Sequence, residues 1–202
     1  MTWSLATEDE LSETVAIRLL EEQGITPDQR LRKGGYGYLR SKVSSWKDLA
    51  RLRPVLLLTD LDDLVCPVAL KADWFGPPPL PPWLCFRIAV REVEAWLLAD
   101  HMAMKVLYGK KSKMPLAPET LPDPKQHLLQ LALKAPRVVK DDIVRCEGSV
   151  LKQGVGYNAR LCDLVRTTWD PDRAARLAPS LAKARCRIAE LAHAVRIEDA
   201  HS

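Results

Sequence analysis

An unbroken aliphatic run leads directly into a group of carboxylates in the segment Pro54-Val55-Leu56-Leu57-Leu58-Thr59-Asp60-Leu61-Asp62-Asp63, and this pattern is the strongest indication of the fold class. An apolar run without alternation is typical of a parallel strand that is covered on both faces by helices. Ligands of such sheets bind beyond the carboxyl ends of the strands, which is where Asp60, Asp62 and Asp63 are expected. Grouped carboxylates suit a hard cation such as Mg²⁺. A solvated turn or a helix cap is the alternative interpretation.

Two other segments repeat this design of an apolar strand followed by acidic residues. One strand is predicted over residues 3–7 and another over residues 83–90. If the three strands are parallel neighbours, their carboxylates meet at one edge of the sheet, where mutual repulsion requires a cation. Each group also has a simpler interpretation, as a turn, a cap or a complement to a helix dipole. The additional acidic residues are Glu8 and Glu13 after the first strand, and Glu92 and Glu94 after the last.

The segments between these strands predict helices and one glycine-rich loop. We expect a helix over residues 13–23 with Ser12 as its cap, and a short strand within residues 25–32. The glycines of residues 33–38 predict a loop whose backbone amides can approach a phosphate, although a plain surface turn is the alternative. The basic residues expected to hold nucleic-acid phosphates there are Lys33, Arg40 and Lys42.

The C-terminal half has a helical pattern. A basic, proline-rich loop is expected over residues 108–124. The predicted architecture is therefore α/β, a Rossmann-like, mostly parallel sheet flanked by helices, with a helical C-terminal portion. We expect a catalytic core over residues 1–107 and a basic loop with a helical extension over residues 108–202. The helices predicted in the second half cover residues 126–134, 157–169 and 179–196.

The composition of the chain excludes some classes of protein and is compatible with others. A chain of 202 residues with a net charge of +4 is compatible with a phosphate-bearing partner. The five cysteines are scattered without a Cys-x-x-Cys pair, which argues against a zinc site or a disulfide framework. No stretch approaches the roughly 20 apolar residues of a membrane span. The N-terminus lacks the basic start of a signal peptide, so we expect a cytoplasmic protein without membrane contact.

A glutamate after the first strand, then a helix, then Asp-x-Asp after a later strand resembles the TOPRIM domain of topoisomerases, primases and OLD-family nucleases. The closer resemblance is to uncharacterised bacterial TOPRIM-like proteins, which are suspected to work beside ATPases in phage defence. The catalytic motifs cover about 100 residues. The segments that carry the resemblance are Glu8-Asp9-Glu10-Leu11-Ser12-Glu13, Leu58-Thr59-Asp60-Leu61-Asp62, Arg91-Glu92-Val93-Glu94-Ala95-Trp96-Leu97-Leu98-Ala99-Asp100 and Trp169-Asp170-Pro171.

The resemblance implies a catalytic metal site for Mg²⁺ or Mn²⁺. Glu8, Asp60 and Asp62 match the catalytic and metal-binding TOPRIM positions. Glu13 matches a further acidic position of nuclease-like members, and Glu92 and Glu94 belong to the motif of the closer family and are additional metal candidates.

The resemblance implies a metal-dependent nuclease or a related phosphodiester-processing enzyme, with DNA favoured over RNA as substrate. One position departs from the family, since Asp9 stands where TOPRIM domains commonly have glycine. The alternative is a non-catalytic TOPRIM-like binding or regulatory module that works with a partner ATPase. A small-molecule phosphotransferase is disfavoured because no nucleotide-binding loop is evident.

Overall fold

The computed structural model describes residues 1–32, 34–77 and 79–201. The chain divides into two compact units. Unit 1 contains residues 1–89 and the C-terminal segment that begins at Lys183, and unit 2 contains Val90–Ala182. The domain boundary expected after residue 107 stays a prediction. Every helix formed by the described residues is too short or too polar to cross a membrane.

Unit 1 is built on a four-stranded sheet. Its strands are β1 (Ser4–Thr7), β2 (Gln29–Arg32), β3 (Val55–Asp60) and β4 (Leu84–Ala89). All neighbouring pairs are parallel, in the order β2-β1-β3-β4. The chain places β2 on one side of β1 and then β3 on the other, so the strand order reverses between β1 and β3. Such a reversal is a topological switch point, where ligands of open α/β sheets bind.

The aliphatic run of β3 forms the middle of this sheet. Residues 55–58 are at most 1% exposed, as expected for a strand covered on both faces. Leu56 pairs with Leu5 of β1 and with Cys85 of β4, so apolar side chains continue across three strands. The predicted buried parallel strand is confirmed, together with the α/β class and the helical C-terminal segment.

Helices flank the sheet, and the first of them begins earlier than predicted. Ser12 is not its cap, because Asp9 has an extended backbone and its carboxylate accepts from the backbone N–H of Ser12 at 2.8 Å. Ser12 therefore lies inside the first helical turn and is buried. The helices of unit 1 are α1 (Glu10–Glu21), α2 (Gly35–Ser41), α3 (Val43–Leu49), α4 (Pro67–Phe75) and most of the C-terminal helix (Pro179–His201).

The glycine-rich segment was predicted as a loop, and its described part is mostly helical. Gly34 and Gly35 have φ angles of +64° and +65°, which glycine adopts without a steric penalty, and α2 begins at Gly35. Leu39 is fully buried, and its carbonyl accepts from the indole N–H of Trp46 at 2.9 Å. Packing thus outweighs the low helix propensity of glycine. Lys33 lies outside the described residues.

Unit 2 is mainly helical. Its helices are α5 (Val93–Ala99), α6 (His101–Tyr108), α7 (Pro124–Ala132), α8 (Arg137–Ile143), α9 (Tyr157–Thr167) and α10 (Pro171–Ala175), with a 3₁₀ turn at Pro118–Thr120. The predicted helices near residues 126–134 and 157–169 are confirmed. An antiparallel hairpin of β5 (Val144–Glu147) and β6 (Val150–Gln153) was not predicted.

Candidate functional site

The carboxylates predicted at the ends of β1 and β3 come together in unit 1. Glu8 directly follows β1, and Asp60 is the last residue of β3. The backbone N–H of Asp60 donates to Oε1 of Glu8 at 3.0 Å, and the hydroxyl of Thr59 donates to the same oxygen. Oε2 of Glu8 accepts no hydrogen bond from a described residue. We call Glu8, Thr59, Asp60 and Asp62 the strand-end cluster.

The pKa of Glu8 is raised above its usual value, chiefly because burial disfavours the charged form. The hydrogen bonds from Thr59 and from the backbone of Asp60 act in the opposite direction. The negative charges of Asp62 and Asp9 add to the increase, which places the Asp62 carboxylate within electrostatic range of Glu8. Several acidic groups therefore act on one another at the switch point.

Asp62 is presented by a tight turn after β3. Its φ angle of +49° lies in the left-handed region, which aspartate tolerates better than most residues. The turn is closed by the backbone N–H of Leu64, which donates to the carbonyl of Leu61 at 3.1 Å. Asp60 is 8% exposed, whereas Asp62 and Asp63 are exposed. Asp63 does not cap the next helix, because Cys66 occupies that position.

Two further acidic residues lie in or beside the first turn of α1. The carboxylate of Asp9 is engaged in capping that helix, through the backbone N–H of Ser12. Glu13 forms an ion pair with Arg32, in which Oε2 and Nε are 3.7 Å apart. Arg32 ends β2 and is paired in register with Thr7 of β1. The chain itself thus supplies a cation for Glu13.

Glu92 and Glu94 lie in unit 2, at the start of α5. Nζ of Lys125 is 3.1 Å from Oε1 of Glu92 and 3.6 Å from Oε1 of Glu94. The backbone N–H of Lys125 also donates to Oε2 of Glu92 at 3.0 Å, and the hydroxyl of Tyr157 donates to Glu94 at 2.9 Å. We call Glu92, Glu94, Lys125 and Tyr157 the Lys125 cluster. That all three predicted strand ends share one edge stays a prediction.

Burial governs the charge of the Lys125 cluster. The side chain of Glu94 is 3% exposed, and this burial raises its pKa to about 7. The positive charge of Lys125 opposes the increase, and the negative charge of Glu92 adds to it. The pKa of Tyr157 is well above its usual value because of burial and the neighbouring Glu94 charge. Near neutral pH, Glu94 is therefore poised between its two protonation states.

The other residues of the quoted motifs form a buried polar network in unit 2. Asp100 is 1% exposed and accepts from Nη2 of Arg173 at 2.7 Å and from the backbone N–H of Asp170 at 2.8 Å. The indole N–H of Trp169 donates to the carbonyl of Trp96 at 3.1 Å. The two motif segments, far apart in sequence, thus hold each other in place. These contacts give Asp100, Trp169 and Asp170 a structural role in unit 2.

The predicted phosphate-binding residues occupy separate positions. Nε of Arg40 lies 3.2 Å from Oδ2 of Asp73, so Arg40 joins α2 to α4 through a surface ion pair. Lys42 is exposed and stands between α2 and α3. Lys33 is outside the described part of the chain. Binding of nucleic acid by these three residues stays a prediction.

The donor chemistry of the strand-end cluster fits Mg²⁺ or Mn²⁺. Carboxylate oxygens are the ligands that hard cations prefer, and Mg²⁺ is usually held by one or two carboxylates together with water or phosphate oxygens. Within residues 1–32, 34–77 and 79–201, no group of three or more His, Cys, Asp or Glu side chains is arranged to hold a metal ion. A site in this cluster would therefore depend on few protein ligands.

Sequence reasoning missed the partners of the carboxylates. Thr59 stands next to Asp60 in the chain, so its position at the strand end was a usable signal for a hydrogen-bond donor. Arg32, Lys125 and Tyr157 carried no such signal, because each is distant in sequence from the glutamate it contacts.

Comparison with known protein-family models, with curated proteins and with solved structures finds no match to the chain. The TOPRIM resemblance accordingly stays a prediction, carried by the residues quoted for it. The structure establishes an α/β unit with a parallel sheet and an acidic cluster at its switch point.

Proposed function

We propose that the chain is a TOPRIM-like, metal-dependent phosphodiester hydrolase that acts on nucleic acid, with DNA favoured over RNA. One observation carries the proposal: Glu8 accepts a hydrogen bond from the backbone of Asp60 at the switch point of a parallel sheet. That point is where open α/β sheets bind their ligands. The contact joins two of the four segments that carry the TOPRIM resemblance, those that contain Glu8 and Asp60.

Glu8, Asp60 and Asp62 are the proposed binding positions for Mg²⁺ or Mn²⁺. One or two of these carboxylates would hold the ion directly and the rest through water, since no group of three such side chains among the described residues is arranged to hold a metal ion. When bound, such an ion would lower the pKa of a coordinated water and stabilise the charge that develops on the phosphate. Glu13, Glu92 and Glu94 are proposed to assist. The contacts of Glu13 with Arg32, and of the other two with Lys125, suit a supporting role, because a cation already offsets their charge.

The chain's own residues orient this site. The two hydrogen bonds to Oε1 of Glu8 fix the carboxylate and leave Oε2 without a donor among the described residues. The turn at Asp62 exposes its carboxylate, and Asp60 is held at the end of β3. Arg40 and Lys42, together with Lys33, are the proposed contacts for substrate phosphates.

The test is cleavage of single- and double-stranded DNA and RNA by the purified chain, with Mg²⁺, with Mn²⁺ and with a chelator. We expect metal-dependent cleavage that falls more than about 100-fold in Glu8→Gln and Asp60→Asn, beyond the usual cost of losing an outer-shell partner. Asp63→Asn is the matched control and should retain activity. Thermal melts verify that each variant folds. Equal cleavage by all four proteins would contradict the proposal.

A second candidate function is a non-catalytic TOPRIM-like module that binds or regulates a partner ATPase. The observation that favours it is Asp9, whose side chain stands where the family commonly has glycine and whose charge raises the pKa of Glu8. Cleavage by the chain alone would exclude this function. A role in phage defence rests on the same resemblance.

A further inference from the structure

The lining of a basic cavity in unit 2 contains none of the residues assigned to the proposed metal site. The cavity has a volume of about 800 Å³. One wall is the loop that follows α6, and the other is one face of α7 with the residues after it. Binding sites for small molecules usually measure about 300 to 1,000 Å³, so the cavity has the size of a ligand site.

The charge of the cavity is of one sign. Its described lining includes four lysines and no carboxylate. None of these lysines forms an ion pair with a carboxylate of the described residues, unlike Lys125. Unpaired ammonium groups around one cavity raise the local concentration of anions. The four lysines are Lys110, Lys111, Lys113 and Lys134.

The loop and the helix have defined structures. Gly109 has a φ angle of +98°, and its carbonyl accepts from the backbone N–H of Ser112 at 3.1 Å. The hydroxyl of Ser112 donates to the carbonyl of Tyr108 at 3.0 Å, which fastens the loop to the end of α6. Across from it, His127 and Leu131 lie one turn apart on the same face of α7, and Lys134 lies in the turn that follows the helix.

The cavity lining also includes two residues whose buried side-chain polar atoms have no hydrogen-bond partner among the described residues. The atoms are Oη of Tyr108 and Nε2 of His127. Buried polar atoms are normally paired, so each exception requires an explanation. These two atoms are not exposed to the cavity, and Tyr108 lies within electrostatic range of Glu94, so neither atom is assigned to a ligand.

We propose that this cavity binds a phosphorylated nucleotide, either free or at the end of a nucleic-acid strand. The lysines would neutralise the phosphates, while Leu131, Ala135 and Pro136 offer an apolar surface to a base. His127, which is partly exposed in the lining, would contact the base or the sugar. A compact polyanion with an apolar part fits a concave site better than an extended strand does.

The test measures binding without divalent metal, in the 202-residue chain carrying both Glu8→Gln and Asp60→Asn. Because this variant lacks two of the proposed metal-binding carboxylates, the result does not depend on whether the chain is a nuclease. The probes are ATP, pyrophosphate, and a ten-nucleotide strand with and without a 5′-phosphate. Isothermal titration measures the Kd of each probe. We expect binding of ATP or of the 5′-phosphorylated strand. Tighter binding of ATP identifies a free nucleotide, and tighter binding of the phosphorylated strand identifies a strand end.

Two triple variants test whether binding depends on the lysines of the cavity or only on the overall positive charge of the chain. Lys110→Gln, Lys113→Gln and Lys134→Gln together should weaken binding more than tenfold. The matched control, Lys71→Gln, Lys105→Gln and Lys183→Gln, removes the same charge from exposed lysines outside the cavity lining and should weaken binding less than threefold. Thermal melts confirm folding.

A third variant tests the cavity while keeping its charge. Ala135→Trp fills the space beside the lysines and should also weaken binding of ATP more than tenfold. The proposal is overturned if no probe binds at millimolar concentration, or if the two triple variants weaken binding equally. It is also overturned if the strand binds equally well with and without its 5′-phosphate and ATP binds no more tightly than the strand.

Discussion

The strand-end cluster and the Lys125 cluster both place carboxylates in the residues that follow a strand, yet they balance the charge in different ways. In the first, Glu8 accepts from a hydroxyl and a backbone amide, both of which are neutral. In the second, an ammonium group contacts both glutamates. Burial raises the pKa of one glutamate in each cluster, Glu8 and Glu94. The same sequence design therefore produces two different electrostatic environments.

The difference indicates which cluster is better suited to an added cation. A metal ion at the Lys125 cluster would have to displace or repel an ammonium group that already offsets the charge. At the strand-end cluster, Glu8 has no cationic partner among the described residues, and the charge of Asp62 increases its proton affinity. Taken alone, a strand followed by carboxylates is thus a weak indication of a metal site. The partners, which come from elsewhere in the chain, determine its chemistry.

The largest expected effect comes from removing the cation of the Lys125 cluster. Lys125→Met keeps most of the side-chain volume but leaves Glu92 and Glu94 without the ammonium group. Loss of one partner of a buried pair costs about 3 to 5 kcal/mol, and the lower value is expected because the lysine is 33% exposed. Urea unfolding at pH 8 measures the change. Lys71→Met, at an exposed position, is the control, and equal stability of the two variants would contradict this account.

A smaller effect is expected from Glu94→Gln, and it depends on pH. The pKa of Glu94 is about 7 in the folded protein, against an ordinary value of 4.5. Between these values the folded state binds more protons than the unfolded state, so wild-type stability falls as the pH rises and levels off above pH 7. The glutamine side chain of the variant cannot titrate, so this part of the slope disappears.

The stability of Glu94→Gln relative to wild type should therefore increase from pH 4.5 to pH 7, by at most about 3 kcal/mol, since one pKa unit corresponds to about 1.4 kcal/mol. Thermal or urea unfolding across this range measures it. Glu21→Gln, on the exposed side of α1, should run parallel to wild type. A parallel curve for Glu94→Gln would show that Glu94 does not titrate abnormally.

The sequence was sufficient to predict the strands of the sheet. The aliphatic run of residues 55–58 is short and is bounded by a proline and by acidic residues, which favours a buried strand over a buried helix. The sequence was also sufficient for the contact between Glu8 and Asp60, since parallel neighbouring strands bring their carboxyl ends together. Local capping preferences predicted the start of α1 less well. Ser12 was expected to cap α1, but Asp9 reaches the same helix end from an earlier position.

Tertiary contacts account for what the sequence left undetermined. The glycines at the start of α2 predict a loop, and the burial of Leu39 is a tertiary contact that favours the helix. Lys125 lies more than 30 positions from the glutamates that it contacts, so no local pattern connects them. The electrostatics of a carboxylate depend on such partners, which explains why its position was easier to predict than its charge.

The smallest effect tests the neutral donors of the strand-end cluster. Thr59→Val removes the hydroxyl that donates to Glu8 and preserves the shape of the side chain, while the donor from the backbone of Asp60 remains. Outer-shell hydrogen bonds orient metal ligands, and their loss costs about 10- to 100-fold in affinity. We expect about tenfold weaker binding of Mn²⁺, measured as the metal concentration that gives half of the maximal thermal stabilisation.

Thr59→Ser keeps the hydroxyl and should retain the wild-type affinity for Mn²⁺, whereas Glu8→Gln should abolish the stabilisation. A merely structural role for Thr59 would lower the melting temperature in the absence of metal without changing the half-saturating concentration. Equal affinities of Thr59→Val and Thr59→Ser for Mn²⁺ would therefore show that the hydroxyl does not contribute to metal binding. The contrast between the clusters would then rest on the absence of a cationic partner for Glu8 among the described residues.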